Sequence, residues 1–88
     1  MNASVSIIRF GRAEAGRLDA SGAELVSQVF LHDLAAASGR IVRAAGRWIY
    51  LLADGTPSGL ASSVSRAELE QQIIVFHFEQ QQAVAELH

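Results

Sequence analysis

The chain has no cysteine. That removes a disulfide framework, a thiolate nucleophile and a cysteine-ligated zinc site from consideration. Lysine is also absent, and all seven basic residues are arginine. Proline occurs once, at Pro57, and the aromatics are few: four Phe, one Tyr and one Trp. No apolar run approaches the ~18 residues that a membrane-spanning helix needs. The opening residues, MNASVSIIRF, lack the basic flank and long apolar core of a secretory signal. These absences together lead to an expectation of a cytoplasmic protein with no membrane segment.

What is present is apolar for so short a chain. Half of the 88 residues are hydrophobic, mean hydropathy is +0.22 and the formal net charge is −2. Such a composition argues against disorder. The length allows one domain, covering residues 1–88, and a domain this small buries a modest share of its surface. A second subunit would help it. The charge is unevenly placed. Every arginine lies within residues 1–66, whereas residues 67–88 hold four acids and no base.

The last quarter carries the plainest pattern. Ser65 and Glu68 match the S-x-x-E capping box that opens a helix. A helix is expected near residues 66–86, and helical spacing through the closing stretch, residues 65–88, puts Leu69, Ile73, Phe76, Ala83, Val84 and Leu87 in one stripe. Ala67, Ile74, Phe78 and Ala85 form a second stripe on the opposite side. A helix that is apolar on two sides needs two surfaces to pack against. The second is most simply another copy of the chain, which makes Ile74, Phe78, Ala67 and Ala85 the interface candidates. The rival assignment is a strand at residues 73–78 (IIVFHF), which is β-branched and aromatic.

Upstream, residues 4–10 read as a strand ending at Gly11. Ser21 and Glu24 form a second S-x-x-E pair, and a helix is expected over residues 22–38, with Gly39 as its left-handed cap. Residues 40–45 and 47–53 read as a hairpin around Gly46. Residues 54–59 (DGTPSG) are a turn, and residues 60–63 a short further strand. The expected fold is α+β: a small antiparallel sheet covered on one face by two helices, in the order β-α-β-β-(β)-α.

The candidate chemistries are few. Gly11 and Gly16 have phosphate-loop spacing, but Arg17 and Leu18 stand where Lys and Ser or Thr are required. His32 and Asp33 point about 100° apart on a helix. His77 and Glu79 would share a face only on a strand, and no metal or cofactor motif emerges. Asp33 falls inside the apolar face of the expected first helix. It is read there as a residue ion-paired with Arg40 or Arg43, or else as a functional carboxylate with a raised pKa.

Arg40, Arg43 and Arg47 cluster around the hairpin with Trp48 and Tyr50, and arginine beside aromatics can hold phosphates and stack bases. Without its first strand, the order α-β-β-β-α resembles the double-stranded-RNA-binding domain in topology, which implies RNA as a partner. At the start of the last helix that family carries a basic cluster, where this chain has Arg66, Ala67, Glu68, Leu69 and Glu70. Three classes of function follow. The first is a non-enzymatic interaction module: a homodimeric regulator, accessory subunit or inhibitor that binds an unidentified protein partner. The second is an Arg-based nucleic-acid binder. The third is a small enzyme or ligand-binding domain at a dimer cleft.

Overall fold

The structure, a computed structural model, describes residues 8–31 and 35–86, with side chains described through Gln80. Five strands precede one helix: β1 (Ile8–Arg12), β2 (Glu24–Leu31), β3 (Gly39–Ala44), β4 (Arg47–Leu52), β5 (Pro57–Ser62) and α1 (Arg66–Glu86). Every neighbouring pair is antiparallel, and the sheet is a meander in sequence order. The fold is therefore α+β with an antiparallel sheet, as expected. One helix is described rather than two, and the order is β-β-β-β-β-α.

The difference lies in residues 24–31, where β2 stands in place of the helix expected over 22–38; residues 32–34 of that expectation lie outside the described residues. The segment ELVSQVFL has apolar residues at 25, 26, 29, 30 and 31, and the first four imitate the spacing of a helical face. A bulge between Leu25 and Ser27 produces it. The extra residue shifts strand parity, so Leu25 turns to one face with Val42 while Ser27 and Val29 turn to the other with Ile41. Both faces of β2 are partly covered, so the segment shows no clean alternation of apolar and polar residues. The Ser21–Glu24 pair does not cap anything. Ser21 donates from its hydroxyl (2.8 Å) and its amide (3.2 Å) to Asp19, and Gly22 has φ +90° in the turn. With that helix gone, the α-β-β-β-α resemblance to the RNA-binding domain no longer holds.

Gly39 is likewise a strand residue and caps no helix. A Cβ there would sit 2.5 Å from the Tyr50 ring and 2.6 Å from the Leu51 carbonyl oxygen. The bare backbone leaves room for the Tyr50 ring to pass close against β3. The hairpin around Gly46 forms as the sequence suggests, with Ala45 (φ 52°) and Gly46 (φ 75°) as its two-residue turn. Both angles are those of the type I′ turn that matches strand twist. β5 starts at Pro57, earlier than expected. It is an edge strand, where a residue without an amide hydrogen is tolerated.

α1 forms as the Ser65 cap predicts, and residues 73–78 are helical rather than extended. The Glu68 amide donates to Ser65 Oγ at 3.0 Å. The Glu68 carboxylate does not close the box on Ser65. It accepts from Ser62 Oγ at 2.9 Å, and Ser62 Oγ in turn accepts from the Val64 and Ser65 amides. Leu69 and Ile73 bury themselves against Val29, Ile41 and Tyr50, which together form the core. Phe10, Val26, Trp48, Leu52, Leu60 and Phe76 pack around it. No helix among the described residues is long and apolar enough to cross a membrane.

Candidate interaction surface

α1 has an inner and an outer face, and the inner face fixes the outer one. Leu69 and Ile73 anchor the first half of the helix. One turn further on, His77 Nε2 and the Tyr50 hydroxyl share a hydrogen bond of 2.7 Å, both residues being buried. Phe76 meets the edges of both rings, at centroid distances of 6.5 Å to Tyr50 and 5.0 Å to His77. Burial pushes the Tyr50 hydroxyl pKa up to about 12 and the His77 imidazole pKa down. Neither group therefore carries charge near neutral pH, which suits a buried pair. The helix is also tied laterally. Glu70 accepts from Arg12 of β1 at 3.0 Å and lies 3.6 Å from Arg66.

With rotation about its axis fixed in this way, α1 presents Ile74, Val75 and Phe78 to solvent, 39%, 51% and 58% exposed respectively. Ala67 is exposed on the same side, and the side chain of Ala85, the fourth interface candidate, lies outside the described residues. Beside Val75 an open groove of about 450 Å³ runs between α1 and β5, with Leu60, Gln72, Val75 and Phe76 in its walls and Glu68 and Glu79 on its rim. The edge of β5 is poorly suited to receive another strand. Pro57 lacks an amide hydrogen, Gly59 has φ +91°, and the Leu60 amide is turned onto Ser58 Oγ at 3.1 Å. Such features discourage edge-to-edge pairing. That leaves side-chain packing on α1 as the contact mode this side of the molecule offers.

The arginine cluster is divided. Arg43 stacks over the Trp48 ring at 4.9 Å, and the two are register partners on the helix-bearing face of the sheet. With Val26, Val64, Arg66 and Glu24 they line an open groove of about 500 Å³ at the start of α1. Arg40 sits three residues away, on the opposite face. It forms an ion pair with Asp19, whose carboxylate is nearly enclosed. Burial alone would raise the Asp19 pKa, but the Ser21 hydrogen bonds and Arg40 outweigh it and hold the carboxyl below its usual value. Arg47 is exposed beside the hairpin turn.

His32 and Asp33 lie outside the described residues. Gly11 belongs to β1, and Gly16 sits in the following loop, so the two glycines do not frame a phosphate loop before a helix. Among the described residues no group of three or more metal-ligating side chains gathers. Sequence reasoning missed the Tyr50–His77 pair. Its one visible trace was the position of His77 four residues after Ile73, at the border of the inner stripe. No family model, no curated protein and no solved structure matches this chain.

Proposed function

We propose that the chain is a non-enzymatic, cytoplasmic interaction module. In this reading it is a homodimeric regulator, accessory subunit or inhibitor that acts by binding a macromolecular partner, and its first partner is itself. The observation that carries the reading is the outer face of α1. Ile74, Val75 and Phe78 lie exposed on a helix whose inner face is already filled. A group of large apolar side chains in water on so small a domain marks a contact site. Burying each such side chain is worth up to about 1.5–3 kcal/mol, and a symmetric dimer counts each residue twice.

Sedimentation equilibrium of the wild type and of Ile74→Glu/Phe78→Glu at micromolar concentration tests this. The reading requires a dimer that the double substitution converts to a folded monomer. A wild type that is monomeric throughout would overturn it.

A second reading, nucleic-acid binding, is favoured by Arg43 stacked on Trp48 in a groove that also holds Arg66. Affinity falling steeply with salt, and falling further in Arg43→Ala, would support it. Arg40 contributes little to this reading, because Asp19 already engages its guanidinium.

A further inference from the structure

We propose that two copies of α1 pair antiparallel about a twofold axis passing beside residue 76. This rests on the homodimer reading and specifies its geometry. Ala67, Gln71, Ile74 and Phe78 are exposed on α1, and the same spacing continued in sequence reaches Gln81 and Ala85, the steps being four, three, four, three and four. This is the alternating spacing of a helix–helix seam. The line is also symmetric in residue class: alanine at both ends, glutamine inside them, and two large apolar residues at the centre. Ala67 and Ala85 are equidistant from residue 76, as are Gln71 and Gln81, and as are Ile74 and Phe78.

A twofold axis at that point therefore sets Ala67 against Ala85 of the second copy, Gln71 against Gln81, and Ile74 against Phe78. The large residues meet at the centre, the amides lie on either side, and the small residues close the ends, where the backbones can approach. Isologous contacts demand this kind of self-complementarity.

The flanking positions agree. Val75, beside the seam, falls next to its own copy near the axis, which would cover a side chain now half exposed. Glu68 falls next to Gln82 of the second copy, so no two carboxylates are forced together. A parallel pair would instead stack Phe78 on Phe78 and set Glu70 beside Val75. Antiparallel helices also set each dipole against its opposite. The last turn of α1 contains Glu86 and no basic residue. In this arrangement the sheets lie on the outer sides of a two-helix layer, and nothing on the inner face of α1 has to move.

The chain has no cysteine, so single thiols can be placed without a background. Ala67→Cys, Ala85→Cys and Val75→Cys proteins are treated with a thiol crosslinker spanning about 8–10 Å, the usual separation of packed helices. Residues 67 and 85 lie about 27 Å apart along a helix, beyond that reach. The antiparallel pair requires that Ala67→Cys and Ala85→Cys each fail to crosslink alone, that their equimolar mixture gives a covalent dimer, and that Val75→Cys crosslinks to itself. Crosslinking of Ala67→Cys alone would mean a parallel pair and overturn this arrangement while leaving the homodimer intact. A dimer by sedimentation that crosslinks in none of the samples would overturn it equally. A sedimentation monomer would overturn both readings.

Discussion

Tyr50 and His77 share a 2.7 Å hydrogen bond beneath the helix, joining the centre of β4 to the middle of α1. The bond places the helix axially and in rotation, and so decides which residues α1 turns outward. It also makes the attachment of the helix sensitive to acid. Burial lowers the His77 pKa from its ordinary value near 6.5. The unfolded chain therefore takes up this proton at a higher pH than the folded chain does. The stabilising effect of a neutral, buried His77 is complete above about pH 6.5 and is lost as pH falls from there toward the folded-state value.

Wild-type stability is accordingly expected to drop between pH 7.5 and 5.5. His77→Gln keeps a polar partner for Tyr50 without titrating, so it should show a shallower drop. Urea midpoints at the two pH values measure this, and the variant differs from the wild type at His77 alone. Parallel pH profiles for wild type and variant would contradict the assignment.

Gly39 offers a separate handle on the same contact. A methyl group there meets the Tyr50 ring at 2.5 Å and the Leu51 carbonyl at 2.6 Å, and the carbonyl, being backbone, cannot turn aside. Gly39→Ala should destabilise the protein by about 1–3 kcal/mol, the usual cost of overfilling a packed site. It should also displace Tyr50 from His77 and flatten the pH dependence just described. An unchanged denaturation midpoint would mean that β3 and β4 are not packed this closely.

The sequence was legible where one local device governs the chain. Ser65 announces α1, and the apolar spacing after it sorts Leu69 and Ile73 from Ile74 and Phe78. Gly46 between two alternating runs marks the hairpin. It was not legible where the outcome depends on a neighbour. The bulge at Leu25 and Ser27 is a feature of the pairing of β2 with β3, and its shift of parity makes a strand read as a helix. Gly39 looks like a helix cap until Tyr50, eleven residues on, is seen lying across it. Pro57 looks like the end of a strand unless β5 is known to be an edge. The Tyr50–His77 pair joins residues 27 apart in sequence, and no spacing rule connects them. Of the candidate surface, the outer stripe could be read in advance, whereas the separation of Arg40 from Arg43 required the register of β3.

Ala45 is the one residue other than glycine with a positive φ among those described, at 52°. An L-residue in this left-handed region gives up about 1–2 kcal/mol relative to a residue at ease there. The type I′ turn requires that conformation at both central positions, and Asn-Gly is its preferred pair. Gly46 already supplies the second residue. Ala45 is exposed, so its replacement disturbs no packing. Ala45→Asn should therefore stabilise the protein by up to about 1 kcal/mol, and Ala45→Val, branched at Cβ, should destabilise it. The chain has a single tryptophan, Trp48, two residues beyond the turn. Its fluorescence during urea unfolding reports both midpoints from the hairpin itself. The expected order is Asn above Ala above Val. The reverse order would mean that residues 45–46 do not form this turn, and the register between β3 and β4 would then need to be redrawn.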